Sequence, residues 1–255
     1  DAGASVSASP QSASAAQKNR NTLFVEDAVV LQVSRFEAEQ FVLRLQAPRT
    51  AARAEPGSFV HLQCDEAIPM RRPLSIMRAD ASDGWIEVLF KIVGDGLRSL
   101  GARKAGDVLS IIGPIGKGFS PDPDRPDALL IGGGVGIPPM VFLAEWMHAA
   151  GSPWRPLVLM GSEIPFPFEV RSSALATPWL DAAIDGCMPL LDEWHVPSRL
   201  ASLAGYDACF EGYVTDLARH WLATRSPEAL RSVSVYACGP TVMVEATARL
   251  AAELR

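Results

Sequence analysis

Cysteine is scarce in this chain of 255 residues: four thiols, at Cys64, Cys187, Cys209 and Cys238. None stands at a C-x-x-C or other ligand spacing, so they read as scattered or buried thiols in a reducing compartment rather than a metal centre. Positive charge is also short. Twenty-three Lys and Arg face 29 Asp and Glu, leaving a net charge of −6 and no basic stripe, which argues against nucleic acid as a partner. Long hydrophobic runs are nearly absent. Residues 128–144 carry no charge and approach the length of a membrane span, but glycines and two prolines in the middle fit strand, turn and helix instead. No membrane span is expected. The first twenty residues, mostly Ala, Ser and Gln, lack the apolar core of a signal peptide. Residues 1–21 therefore read as a disordered tail, and the location as cytoplasmic.

What is present is an ordinary globular composition, 48% hydrophobic and 20% charged, long enough for one large domain or two ordinary ones. The stretch from Leu129 to Met140 organises the rest. A short apolar run reads as a buried strand, Gly132, Gly133, Gly134 and Gly136 follow, with Val135 among them, and Pro138-Pro139 open an apolar segment suited to a helix. Glycine permits a sharp bend and a close ligand. A strand that turns through glycines into a helix N-terminus makes an anion site, and the expected anion is the pyrophosphate of a dinucleotide. Gly134 and Gly136 fit the G-x-G-x-x-G fingerprint, whereas its third position is Pro139.

Before that stretch, strands are expected at 28–33, 41–45, 58–63, 71–76, 85–93 and 108–112, with Pro56-Gly57 and Asp83-Gly84 as turns. Gly94-Asp95-Gly96 is expected to break the fifth strand, and residues 97–100 to form one short helix. This spacing suggests a closed antiparallel barrel. A Pro/Asp linker occupies 120–127. Beyond it, strands at 128–131, 157–160 and 233–237 alternate with helices near 138–150, 214–224 and 241–254, the pattern of a mostly parallel sheet with helices on its faces. The reading is a two-domain chain, a β-barrel over 22–122 and a Rossmann-like α/β domain over 123–255.

Several short motifs accompany this plan. Pro73 holds Arg72 extended, and arginine pairs bidentately with phosphate oxygens, while Ser75 is placed to reach a flavin ring edge. Taken alone, the tetrapeptide Arg72-Pro73-Leu74-Ser75 reads first as a surface arginine beside an edge-strand proline. Leu89-Phe90-Lys91 and Gly94-Asp95-Gly96-Leu97 offer backbone amides to a phosphate or form a plain connection. The glycines of 113–119 mark tight backbone at the barrel's last turn. Cys238-Gly239-Pro240 ends the last strand beside the switch point, where open α/β sheets hold ligands, or is a small buried residue before a helix-opening proline. Asp216, in Gly212–Leu217, suits a helix start. After the second strand of the sheet comes Glu163, placed to bond an adenosine ribose hydroxyl and to favour NAD over NADP, or to face solvent.

Taken in this order, Pro56-Gly57 with Phe59 and His61, residues 71–76, 113–119, 132–139 and 212–217, and Cys238–Pro240 resemble the ferredoxin–NADP reductase superfamily. Within it they are most similar to the electron-transfer subunits of two-subunit dihydroorotate dehydrogenases, over residues 23–254. The resemblance implies FAD on the barrel and NAD, or NADP, on the second domain. It implies that Arg72, Pro73, Leu74 and Ser75 hold the flavin and its phosphates, that Leu89, Phe90 and Lys91 line its ring and ribityl side, and that Gly96 and Leu97 face its pyrophosphate. Gly132, Gly133, Gly134, Val135 and Gly136 would take the nicotinamide cofactor's phosphates, with Cys238, Gly239 and Pro240 near its reactive ring. Ser75 and Cys238 are the candidate catalytic residues.

The sequence departs from that group in three places. Leu74 stands where many relatives stack an aromatic ring on the flavin, and Leu97 where a threonine is usual. A cysteine segment binding a two-iron two-sulfur cluster is expected only beyond Arg255. The implied activity is an FAD-dependent NAD(P)H oxidoreductase, passing electrons to an iron–sulfur centre or a partner flavoenzyme in pyrimidine biosynthesis. The alternatives are a stand-alone reductase serving an oxygenase or another acceptor protein, and a flavin-binding regulatory subunit without turnover.

Overall fold

The structure is a computed structural model and describes residues 23–149 and 152–253. The expected tail at 1–21, and any segment beyond Arg255, lie outside the described residues. Six strands, β1 (Phe24–Phe36), β2 (Gln40–Gln46), β3 (Phe59–Leu62), β4 (Arg72–Asp80), β5 (Trp85–Lys91) and β6 (Val108–Ile115), close into an antiparallel barrel in the order β1-β2-β5-β4-β3-β6. Closure leaves no strand edge unpaired. The long β1 serves two neighbours, pairing with β6 through Val29 and with β2 from Val29 onward, with a register shift between Val30 and Gln32. Alternate residues turn inward, so Val30, Leu43, Leu45, Val60, Ile76, Ile86, Val88 and Ile111 fill the interior. One unforeseen turn of helix, α1 (Pro48–Ala51), is capped from a distance: the Glu26 carboxylate accepts from the Arg49 and Thr50 amides at 2.9 and 3.0 Å.

The connection after β5 corrects the sequence reading. Helix α2 spans Gly94–Gly101, so Gly94, Asp95 and Gly96 form its first turn instead of breaking the chain ahead of it. Gly94 has a φ of +77°, a left-handed conformation that glycine enters without steric cost and that lets the strand turn at once into the helix. Gly113 and Pro114 likewise belong to β6 rather than to the turn after it.

The second unit is a five-stranded parallel sheet. Its strands are β7 (Asp127–Gly133), β8 (Arg155–Gly161), β11 (Ser198–Ser202), β12 (Phe210–Glu211) and β13 (Val233–Cys238), in the order β12-β11-β8-β7-β13. A two-stranded ribbon of β9 (Arg171–Ser172) and β10 (Gly186–Cys187) lies between β8 and β11 in the chain. Central β7 is apolar on both faces. Ala128 and Leu130 pack toward helix α3 (Ile137–His148), while Leu129 and Ile131 pack toward α5 (Val214–Ala223) and α7 (Thr241–Glu253). The short α4 (Pro189–Glu193) and α6 (Pro227–Leu230) complete the helices.

Helix α3 joins the two units. Nine of its twelve residues are buried. Met140, Val141, Leu143 and Ala144 share a core with the sheet and with Met77 of β4 and Leu89 of β5, while Phe142 enters the barrel's own core. Residues 137–144 of this helix are all buried and its exposed side chains, Trp146 and His148, come after them, so the apolar run is covered by the protein itself. No helix among the described residues is long and apolar enough to cross a membrane.

Candidate functional site

On the barrel, β4 and the first turn of α2 bring Arg72 and Gly96 together. A Cβ on Gly96 would stand 3.3 Å from Arg72 Nε and 3.4 Å from Nη2, so the guanidinium lies directly on that turn. Arg72 has no hydrogen bond or ion pair among the described residues, and α2 has no side-chain cap at its N-terminus. A free guanidinium over free helix amides is an anion cradle. Space in front of it is open, since nothing lies within 4 Å of a Cβ on Gly94.

The neighbouring motif residues divide by strand alternation. Leu74 is buried in the barrel core, so its side chain forms no wall for a ligand. Ser75 points to the other face with Met77, which packs against α3, and its hydroxyl has no partner among the described residues. Phe90 is buried and stacked on Phe41, ring centroids 5.3 Å apart, and Leu89 is buried between the two units. Of that tripeptide only Lys91 keeps a partly open side chain; Leu89 and Phe90 present backbone. Leu97 is half-buried against the barrel core and Pro73 is exposed.

On the sheet, the glycine run is not one loop. Gly132 and Gly133 continue β7, and only Gly134-Val135-Gly136 form the turn, a single 3-10 turn that runs into α3. Three of the four glycines are explained by packing within the protein. A Cβ on Gly132 would meet the Ile137 Cα at 3.0 Å, one on Gly133 the Met243 sulfur at 2.5 Å, and one on Gly136 the Cys238 carbonyl oxygen at 2.2 Å. Gly134 alone, at φ +52°, has nothing within 4 Å. The open backbone available to a ligand is therefore Gly134 and exposed Val135. Pro138 and Pro139 remove two amides from the first turn of α3. The Ile137 amide closes the turn by donating to the Gly134 carbonyl oxygen, so an anion here would rely on the amides of Gly134 to Gly136 and on the helix dipole.

Cys238 pairs with Gly132 across β13 and β7, at the point where the sheet order reverses. Ligands of open α/β sheets settle outside the carboxyl ends of the strands at such a switch point. The Gly134–Gly136 turn also touches β5 of the barrel, so this crevice opens toward the strand carrying Lys91. Burial pushes the Cys238 thiol up, so it is a protonated neighbour of the crevice rather than a thiolate. Gly239 packs on Gly133, and Pro240 leads into α7. Glu163 is exposed two residues past β8, apart from the Arg72 cradle but on the same carboxyl edge of the sheet as Gly134. Asp216 accepts from the Tyr213 amide at 3.3 Å, capping α5.

Sequence reasoning passed over three features of this region. Phe119, mounted on Gly57, meets Tyr236 of β13 edge-on with centroids 5.8 Å apart, a contact between barrel and sheet. Tyr213, 63% exposed, stands where β12 gives way to α5. Both are aromatics beside glycines in stretches already singled out, and that adjacency was the available signal. Arg78 of β4 and Glu145 of α3, a half-buried ion pair, had none. No group of His, Cys, Asp and Glu among the described residues is arranged to hold a metal, and the four thiols are free. A cavity of about 910 Å³ lies at the opposite end of the sheet, by Asp127, Arg155 and Trp221, away from the crevice.

A closed antiparallel barrel followed by a parallel α/β unit, joined through one buried helix, is the fold of the ferredoxin reductase class. The ferredoxin reductase of carbazole 1,9a-dioxygenase superposes with a TM-score of 0.67 at 23% identity, over 91% of this chain and 66% of that one. The NADH-dependent reduced ferredoxin–NADP oxidoreductase superposes at 0.66 and 21%, over 89% and 72%, and phthalate dioxygenase reductase at 0.62 and 16%, over 92% and 65%. In sequence, the chain is 27% identical over 228 residues to the electron transfer subunit of dihydroorotate dehydrogenase B (NAD(+)) from Bacillus cereus strain AH187, covering 87% of this chain and 76% of that relative. The same figures hold for the Bacillus anthracis strain CDC 684 / NRRL 3495 protein of that name. No protein-family model matches the chain. The likeness to the electron-transfer subunits is one of sequence, and the likeness to the reductases one of fold.

Proposed function

We propose that the chain is a flavoprotein reductase: NAD(P)H bound at the sheet reduces FAD bound on the barrel, and the electrons leave one at a time for an iron–sulfur centre or a partner flavoenzyme. The observation that carries this reading is the Arg72 guanidinium, partnerless among the described residues, lying on the uncapped first turn of α2. That cradle fits the FAD pyrophosphate, and open Gly134 at the switch point fits the pyrophosphate of the dinucleotide. The units we assign to the two cofactors are residues 22–122 and 123–255. Bound FAD supplies the hydride-accepting and electron-splitting chemistry.

The chain's residues bind and orient. Arg72 and the amides of α2 neutralise phosphate charge. The Ser75 hydroxyl, on the β4 face that looks toward α3, donates to the edge of the flavin ring. Leu89, Met77 and α3 exclude water between the units. Cys238, protonated, packs near the nicotinamide. The exposed Glu163 carboxylate bonds the adenosine ribose and sets a preference for NADH. No proton transfer by a side chain is required, so the chemistry does not call for a His, Asp and Ser constellation. Because the sequence relatives are electron-transfer subunits by name, we assign the acceptor to a separate catalytic partner, in keeping with dihydroorotate oxidation in pyrimidine synthesis. The test is reconstitution with FAD followed by NADH oxidation with ferricyanide as acceptor. Stoichiometric FAD and sustained turnover are expected, and FAD binding without turnover would leave only a flavin-binding subunit.

A further inference from the structure

The strand that carries Arg72 and Ser75 also carries Arg78, and the helix that leaves the glycine turn carries Glu145. Arg78 donates to Glu145 Oε1 twice, from Nε at 3.0 Å and Nη2 at 2.6 Å. The guanidinium lies between two indoles, 5.3 Å from the Trp85 ring of the barrel and 5.0 Å from the Trp194 ring of the sheet unit. Glu87 approaches it at 4.0 Å and is itself held by Arg44 at 2.6 Å. Among the described residues this is the one ion pair that joins β1–β6 to the elements after them.

The pair is poorly suited to stabilising the fold. Burial raises the Glu145 carboxyl above its usual range even though Arg78 pulls the other way, with Glu87 and Asp80 adding repulsion. Glu145 Oε2 is buried and has no hydrogen-bond partner. Desolvation of two charges commonly cancels their attraction, and apolar replacement of such a pair often leaves stability unchanged or higher. What the pair adds is direction. The apolar contacts of α3 on β4 are non-directional and tolerate sliding. A guanidinium held between two rings and bonded twice to one oxygen does not.

We propose that Arg78 and Glu145 are positioning residues for hydride transfer: they fix the register of α3 on β4, and so hold the Gly134–Gly136 turn at a set offset from Ser75 and Arg72. This rests on the flavin-reductase reading above. Small offsets matter, because a misplacement of about 1 Å can slow a transfer roughly 100-fold.

The test uses the FAD-loaded full chain and the double variant Arg78→Met/Glu145→Leu, which removes both charges and strands neither. The expected result is an unchanged or raised melting temperature, full FAD content and an NADH half-saturation within about twofold, with a limiting rate of flavin reduction lowered roughly 10- to 100-fold. Glu145→Gln, which keeps an acceptor for Arg78, should recover most of that rate. Without NADH, amide exchange along β4 and α3 should quicken in the double variant although melting does not fall. A wild-type limiting rate in the double variant overturns the proposal. A lowered melting temperature with loss of FAD overturns it too, since the pair would then serve stability. Wild-type protein that NADH fails to reduce refutes the flavin-reductase reading itself, and the proposal with it.

Discussion

Gly134 and Gly136 are two residues apart in one turn, yet substitution should act on them in different ways. In Gly136→Ala the new methyl carbon would stand 2.2 Å from the Cys238 carbonyl oxygen, 2.4 Å from its carbon and 2.5 Å from the Gly239 nitrogen. All three are backbone, so no side chain can swing aside. The end of β13 would have to part from the turn by about 1 Å, straining the Cys238–Gly132 pairing. That is overpacking at the upper end of its range, about 3 kcal/mol, or a melting temperature lower by about 6–12 °C in a chain this long. In Gly134→Ala the methyl meets nothing within 4 Å, and the cost is that of a left-handed residue at φ +52°, about 1–2 kcal/mol. Its main effect should be on function, because the methyl occupies the open space assigned to the dinucleotide phosphates. Thermal melts of both FAD-loaded variants, with stopped-flow reduction by NADH, measure the contrast. Gly136→Ala should lose the more stability. Gly134→Ala should keep its FAD and require much more NADH for reduction, and the bulkier Gly134→Val should abolish reduction. The reasoning is refuted if Gly134→Ala is the less stable variant, or if it is reduced at wild-type NADH concentrations.

Three further outcomes are expected. Arg72→Ala should weaken FAD binding by about 1.5–3 kcal/mol in equilibrium titrations, the value of a charge-assisted contact, with little change in melting of the apo-protein; undiminished FAD affinity would remove Arg72 from the site. The ratio of kcat/KM for NADH over NADPH should exceed one and fall in Glu163→Ala; wild-type preference for NADPH would contradict the assignment, and an unchanged ratio would move discrimination to another residue of the carboxyl edge. Burial acts to raise the Asp127 carboxyl, but hydrogen bonds from Arg155 and Ser232 and the charges of Arg155 and Arg225 outweigh it and hold it below its usual 3.8. A depressed carboxyl contributes stability above its unfolded pKa and loses it as pH falls through the folded one, so Asp127→Asn should be less stable than wild type at pH 6, with the difference shrinking as the pH falls below the usual carboxyl value of 3.8.

The barrel was legible because its strands alternate: residues such as Leu43, Leu45, Val60 and Ile86 mark an inward face at every second position, and turn signals at Pro56-Gly57 and Asp83-Gly84 bound the runs. The α/β alternation of the second unit was legible for the same kind of reason. Strand β11 was not. Ser198-Arg199-Leu200-Ala201-Ser202 has too little apolar alternation to mark a strand, yet all five residues are buried. Arg199 manages this by donating to the Ser198 and Leu175 carbonyl oxygens at 2.6 Å each, a partnership with a residue 24 positions away that no local pattern carries. The glycine run was recognised as the centre of the chain, but the reason for three of its glycines lies in Ile137, Met243 and Cys238, which approach from later elements. The Arg72-Pro73-Leu74-Ser75 string was visible in the sequence, but not the direction in which each side chain points. Those directions follow from the register of β4, which sends Leu74 into the barrel core and leaves Arg72 beside Gly96.

The central claim is that the barrel and the sheet hold two cofactors close enough for a hydride to pass between them. Anaerobic stopped-flow reduction of the FAD-loaded protein with NADH and with NADH deuterated at the transferred position tests it most directly. The account predicts loss of the oxidised-flavin absorbance, slower with the deuterated cofactor. Flavin that stays oxidised under excess NADH, or protein that retains no FAD, would contradict it.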